Sequence, residues 1–388
     1  MRLGGVKHYC RGMNIHAGDC LEILPTLEAA SVDAIVTDPP YGLEFMGREW
    51  DHGVPGVPLW TEALRVLKPG GHLVAFGGTR TYHRLACAIE DAGFEVRDCL
   101  MWLYGTGFPK SLDVSKAIDK AAGAERRVVG TKHGLPGYSL TDGNPGGVAM
   151  KGNVDGSLRD GVAECTVTAP ATDAAKQWAG WGTALKPAWE PIILARKPLT
   201  GTVAANVQEH GTGALNVDGC RVASFDGATT ASKPAIIKDT SAPFGKGVAS
   251  CYMGGNGSAF GRWPANLVLD FEAGEMLDAQ SGIRFTNGHS GRDEGFGGQG
   301  GASRFFYCAK ASKKERGEGN NHPTVKPVSL MRWLVRLVTP PGGKILDPFM
   351  GSGTTGVAAK AEGFEFVGIE QNPEYAAIAR KRIEEGEE

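Results

Sequence analysis

The chain has 388 residues, with 41 Lys and Arg against 43 Asp and Glu, and 57 glycines, about twice the usual share. So balanced a charge excludes a strongly basic whole-protein field as the source of any nucleic-acid affinity. The eight cysteines include no C-x-x-C pair, which argues against a zinc site or a disulfide framework.

The length allows two domains, or one large domain with insertions. No apolar run approaches the length of a membrane span, and the N-terminus lacks a signal-peptide core. The expectation is a soluble, cytoplasmic protein with reduced cysteines and no metal. Residues 1–13 carry little pattern. Asn14-Ile15-His16-Ala17-Gly18-Asp19 reads as a short strand ending in Gly-Asp, followed by one or two helical turns that stop near Pro25. Alone, Asp19 would be the N-cap of those turns.

Ser31–Thr37 is a β-branched, apolar run with the character of a buried strand. Asp38-Pro39-Pro40-Tyr41-Gly42 follows, and its two prolines forbid further ladder pairing. A carboxylate, two prolyl carbonyls and an aromatic ring therefore gather at the carboxyl end of a strand. Open α/β sheets bind ligands at that edge. Leu59–Leu67 is expected as a helix with Trp60, Ala63, Leu64 and Leu67 on one face, ended by Lys68-Pro69-Gly70-Gly71. His72–Phe76 is the next strand and residues 80–92 the next helix, with Leu85, Ala88 and Ile89 inward. Glu95–Tyr104 is a third strand. This alternation predicts a parallel sheet.

Residues 105–188 and 199–320 break the rhythm on either side of the strand-like Ala188–Arg196. Loops of this length are read as insertions that reach out from the sheet, with only short strand-like pieces such as Ala265–Leu269. Between Gly301 and Leu337 the basic residues Arg304, Lys310, Lys313, Lys314, Arg316, Lys326, Arg332 and Arg336 face only two acids, Glu315 and Glu318. Phe305, Phe306 and Tyr307 adjoin them, a combination suited to nucleic acid.

Residues 327–338 make an amphipathic helix, broken by Pro340-Pro341-Gly342-Gly343. Lys344-Ile345-Leu346 then leads into Asp347-Pro348-Phe349-Met350-Gly351-Ser352-Gly353-Thr354-Thr355, a strand, a glycine turn and a helix start. Glu365–Glu370 is a second strand ending in an acid. Asn372 caps a last helix whose core face would hold Tyr375, Ile378, Ala379 and Ile383. The turn lets backbone approach a ligand at a helix N-terminus, and Glu370 can accept both hydroxyls of a ribose. No Gly-Lys-Ser/Thr follows, so this is no P-loop, and the full G-x-G-x-x-G of dinucleotide folds is missing. The pattern suits an adenosine without a pyrophosphate, which S-adenosyl-L-methionine carries.

Taken together, these motifs resemble the permuted β-group of amino-directed DNA methyltransferases, found in restriction–modification systems and in bacteriophages and prophages. The matching segments are Gly18-Asp19, Asp38-Pro39-Pro40-Tyr41, Leu67–Gly71, His322–Pro327, Asp347–Thr355 and Gly368-Ile369-Glu370. Their order carries the permutation, since Asp38 precedes the glycine turn by about 300 residues. The resemblance implies an α/β, Rossmann-like, seven-stranded S-adenosylmethionine-dependent methyltransferase fold, circularly permuted, with glycine-rich insertions forming a target-recognition region. Residues 1–104, 186–198 and 321–388 would form the catalytic domain, 105–185 an insertion, and 199–320 the target-recognition and DNA-binding region.

The resemblance also implies roles. Asp38, Pro39, Pro40 and Tyr41 would be catalytic. Asp38 and the Pro39 carbonyl would accept the hydrogens of a base amine, and Tyr41 would stack on the flipped-out base. Asp19 would meet the cofactor adenine amine, Glu370 its ribose and Phe349 its ring. Asp347, Gly351, Gly353, Thr354, Thr324 and Lys326 would surround the methionine end. Lys310, Lys313, Lys314 and Arg316 would hold the phosphates of double-stranded DNA. The partners allowed are a second copy of the chain and a cognate restriction endonuclease, with no membrane. Adenine N6 is the first reading of the target. Cytosine N4, RNA or protein methylation, and a DNA-binding protein without catalysis remain as alternatives. No Pro-Cys occurs, which disfavours methylation at cytosine C5.

Overall fold

The apolar runs and glycine stops take regular form in the computed structural model. It describes residues 12–43, 53–105, 107, 109, 111–133, 139–140, 148–149, 164–222, 261–282, 284–285, 299–309, 320 and 325–386. By its contacts the chain divides into two compact units, Met1–Tyr104 with Trp189–Glu388, and Gly105–Ala188.

Nine strands of the first unit form one sheet. They are β1 Met13–Ala17, β2 Val32–Thr37, β3 Leu67–Phe76, β4 Glu95–Leu103, β5 Trp189–Arg196, β6 Leu267–Asp270, β7 Tyr307–Ala309, β8 Lys344–Asp347 and β9 Glu365–Glu370. The order across the sheet is β1-β9-β8-β2-β3-β5-β4-β6-β7. Every pairing is parallel except those of β5, which runs antiparallel to both β3 and β4.

The centre of the sheet follows from β2. All six of its residues are buried, as a strand covered on both faces requires. Its side chains alternate between two apolar layers. Ala34 and Val36 join Leu334, Val335 and Val338 of the helix Val328–Val338 on one face. Ile35 joins Trp60 and Ala63 of the helix Val57–Val66, and Leu85 and Ile89 of the helix Tyr82–Asp91, on the other. Asp33, a buried acid in this strand, accepts from Lys68 Nζ at 2.6 Å and from the Lys344 N–H at 2.8 Å, and so ties β2 to both neighbours.

Three expectations need correction. First, Lys68-Pro69-Gly70-Gly71 is no simple helix end. The helix stops at Val66, β3 begins at Leu67, and these four residues loop out of the strand, because Val32 pairs with Leu67 and Ala34 with His72. The Asn206 side-chain amide and the Thr212 hydroxyl both donate to the Pro69 carbonyl, and Gly70 turns at φ +74°. Second, the sheet has nine strands rather than seven. β6 and β7 come from within 199–320, so part of that stretch extends the sheet instead of reaching out from it. They cover the edge of β4, whose N–H and C=O groups would otherwise lie open. Third, the last helix, Pro373–Glu385, buries Ala376, Ala379 and Ile383, while Tyr375 faces a cleft described below.

The second unit contains the helices Val114–Ala121 and Asp173–Gln177 and an antiparallel pair, Val128–His133 with Glu164–Thr168. Its buried centre is Asp119, which pairs with Arg126 at 2.6 Å. It also accepts from the N–H groups of Ala171 and Thr172.

Gly353 precedes the helix Thr354–Ala361 at φ +83°, and a Cβ there would lie 2.8 Å from Ala379 Cβ. Gly353→Ala is expected to cost about 1–3 kcal/mol through left-handed strain and this clash. A urea-unfolding comparison with wild type checks it, and equal midpoints would contradict it.

Candidate active site

The carboxyl ends of β2 and β8 meet through one bond. Thr37 closes β2, and its Oγ1 donates to Asp347 Oδ1 at 2.6 Å. Asp347 Oδ2 accepts from Thr355 Oγ1 at 2.6 Å, and the Phe349 N–H donates to Oδ1 at 3.1 Å. Burial pushes the Asp347 carboxyl up to about 6, against the pull of these donors. Strand, glycine turn and helix start are thus pinned to one buried group.

The turn is pinned a second time by Glu370 at the end of β9. Its Oε2 accepts from the Gly351 N–H and its Oε1 from the Asn372 N–H, both at 2.8 Å. Burial raises this carboxyl, and the two backbone donors oppose the rise. Gly351 takes φ +54°, a conformation that favours glycine. Asp19 follows β1, and its Oδ1 accepts from the Leu21 N–H at 2.8 Å, as an N-cap does.

These groups border a cleft of about 830 Å³. Asp19, Asp38, Lys326, Asp347, Phe349, Gly351, Thr354 and Glu370 all line it. So do Pro40 and, unforeseen from the sequence, Tyr375. Gly353 instead packs against Ala379 of the last helix. Thr324, Lys310, Lys313, Lys314 and Arg316 lie outside the described residues.

Beside the cleft stand four polar side chains in mutual contact. Lys326 Nζ lies 2.8 Å from Asp38 Oδ2 and 3.2 Å from Glu190 Oε2. It also donates to Tyr41 Oη at 3.1 Å, and it lies 4.9 Å from the centre of the Phe76 ring. Tyr41 Oη is 2.8 Å from Asp38 Oδ1 and 3.0 Å from Glu190 Oε2. With one proton, the hydroxyl serves one carboxylate at a time. Burial, then Asp38 and Glu190, hold the Tyr41 hydroxyl well above its usual range, so it stays neutral. For Lys326 burial lowers the ammonium's pKa, but Asp38 and Glu190 outweigh it and leave the net shift upward. Glu190 belongs to none of the sequence motifs. Its one signal is an acid inside the apolar strand Trp189–Arg196. Because β5 is antiparallel, its first residues lie where its neighbours end, with Glu190 paired to Trp102.

A match to the DNA methylase model of the N6/N4 methyltransferases spans residues 32–121 and 278–381, half of the chain. The chain belongs to this DNA methylase family. The type II methyltransferase M2.DpnII of Streptococcus pneumoniae is 48% identical over 78 residues, 20% of this chain and 29% of that protein. The DNA adenine methyltransferase YhdJ of Escherichia coli is 45% identical over 67 residues, 17% of this chain and 23% of that protein. The chain therefore spans less than a third of each of these two relatives. The type II methyltransferase M.HindIII of Haemophilus influenzae is 24% identical over 416 residues, which cover 95% of this chain and 94% of that protein.

S-adenosyl-L-methionine is the cofactor of this family, and the cleft fits it. The wall carries Asp19, Asp38, Asp347, Glu370 and Glu374 against the single cation Lys326 among the described residues, which suits a sulfonium and repels a polyphosphate. The volume lies in the range that encloses a ligand of this size.

The raised Asp347 carboxyl sets a pH dependence. Unfolded, an Asp titrates near pH 4, so between about pH 4 and 6 the folded state binds the extra proton. The contribution of Asp347 to stability is therefore full below that window and is lost as pH rises through it. The stability of wild type relative to Asp347→Asn should fall from pH 4 to pH 6, as followed by urea midpoints. A gap constant with pH would overturn this.

Proposed function

We propose that the protein is a site-specific DNA methyltransferase that transfers a methyl group from S-adenosyl-L-methionine to the N6 amine of adenine in duplex DNA. The observation that carries this reading is that Asp38 shares one cleft with Asp347, Gly351 and Glu370. A base amine acceptor thereby adjoins the cofactor segment. The order of the segments, with Asp38 ahead of the glycine turn, is read as a circular permutation. Asp at position 38 favours adenine, in keeping with the name of the relative YhdJ.

An exocyclic amine is a poor nucleophile because its lone pair is delocalised into the ring. Asp38 and the Pro39 carbonyl accept its two hydrogens and favour a tetrahedral nitrogen. Bound in this cleft, S-adenosyl-L-methionine would supply an electrophilic methyl group, to which the amine nitrogen would bond as the carbon–sulfur bond opened and left a thioether. Asp38 is placed to take the proton that the methylated amine releases. Positioning and electrostatics supply most of the acceleration. Asp19 and Glu370 bind the two ends of the adenosine, and Phe349 covers its ring. The target base is flipped out of the helix to reach this edge. The names of M2.DpnII and M.HindIII support a role beside a restriction endonuclease.

Asp38→Ala should abolish methyl transfer and leave cofactor affinity within about tenfold, because the carboxylate acts on the amine. Transfer assays on purified protein, with mass analysis of the nucleosides, test both activity and target. N6-methyladenine supports the reading, and N4-methylcytosine moves it to the other amine of the same family. Wild-type activity in Asp38→Ala would sink the mechanism.

The basic stretch Lys310, Lys313, Lys314 and Arg316 follows β7, which ends at Ala309, and precedes Lys326 in the site. It is assigned to DNA phosphates. Replacing Lys313 and Lys314 together by Ala should weaken cognate and unrelated duplexes about equally and lower the salt slope by roughly two phosphates. Loss of cognate preference with an unchanged slope in salt titrations would instead make these residues base readers.

A further inference from the structure

Each oxygen of Asp38 already accepts from one donor, which weakens both as acceptors for an incoming amine. Oδ1 faces the Tyr41 hydroxyl at 2.8 Å and Oδ2 the Lys326 ammonium at 2.8 Å. The ammonium is only 10% exposed, so leaving it without an anion carries a large desolvation penalty. One group is already placed to take both donors. Glu190 Oε2 lies 3.0 Å from the same hydroxyl and 3.2 Å from the same ammonium. Of the further titratable neighbours among the described residues, Tyr104 is held neutral, its pKa pushed up to about 12 by burial and then by Glu190, and Asp347 lies close enough to Asp38 for their charges to interact.

We propose that Glu190 is a positioning residue that draws Lys326 and the Tyr41 hydroxyl off Asp38 as the target amine enters. This rests on the methyltransferase reading above and adds a residue that its motifs do not contain. No covalent bond changes. The Tyr41 proton turns from Asp38 Oδ1 to Glu190 Oε2, and the ammonium tightens on Glu190. Two carboxylates and one ammonium are present before and after, so the net charge of the group is constant. Asp38 is left with both oxygens turned to the base. The antiparallel course of β5 makes this possible, since it brings an acid to the edge where parallel strands end.

The test uses the purified full chain, S-adenosyl-L-methionine and an adenine-containing duplex that wild type methylates. Glu190→Gln keeps the shape but cannot neutralise Lys326, so the ammonium stays on Asp38. Its kcat should fall by about tenfold or more, with the KM and the Kd for S-adenosyl-L-methionine changed less than about threefold. Glu190→Asp keeps the charge and should recover part of the lost kcat. Adding Lys326→Met to Glu190→Gln removes the competitor for Asp38 and should raise kcat above that of Glu190→Gln alone. A merely structural Glu190 would make the double variant worse.

A Glu190→Gln kcat within twofold of wild type would overturn the assignment. Equal losses in the Asp and Gln variants would do so as well, as would a double variant no more active than the single one. A wild-type protein that methylates no duplex would overturn the parent reading, and this assignment with it.

Discussion

The hydrogen bond from Thr37 to Asp347 is the constraint on which the site depends. It joins the ends of two neighbouring parallel strands that are 310 residues apart in the chain. One of those strands continues into Asp38, and the other into the glycine turn. If the two ends separated, Asp38 and the glycine turn would no longer border one space. The bond is buried, so water cannot replace it cheaply. Asp347 is held by three donors at once, which fixes the turn and the first residues of the following helix together with the strands.

Much of this was legible in the sequence, for identifiable reasons. β2 and β8 are covered on both faces and centre on the apolar runs Ala34-Ile35-Val36 and Ile345-Leu346, and the prolines and glycines after them mark where the chain leaves the sheet. The loop at Lys68–Gly71 was not legible. The groups that hold it, Lys197, Asn206 and Thr212, are more than a hundred residues away and carry no local signal. β7 is three residues long, too short for a periodic pattern to declare itself. Glu190 was missed because strand direction, which decides the edge an end residue reaches, is a property of the whole sheet. Gly353 was foreseen as a glycine but for a different reason. Its neighbour is the last helix, and both the close approach of Ala379 and the left-handed turn favour the absent Cβ.

The site also solves a charge problem. Among the described residues, five carboxylates border a cleft with one ammonium, and the proposed substrate has a polyanionic backbone. Such a wall attracts a cationic cofactor and leaves phosphates to be held elsewhere. Lys326 is the exception, and its position between Asp38 and Glu190 keeps its charge from the rest of the cleft.

The order of strands has a consequence for the birth of the molecule. Among the described residues β1 pairs with β9 alone, and β2 on one side with β8 alone, so both wait for residues 344–370. At about 5–20 residues per second, synthesis leaves β2 without that neighbour for roughly 15–60 s. During that time its unpaired N–H and C=O groups are open to the wrong strand, from the same chain or another. A ribosome stalled before residue 344 would hold β1 to β7 without β8 and β9, and β2 would stand at the rim of the sheet.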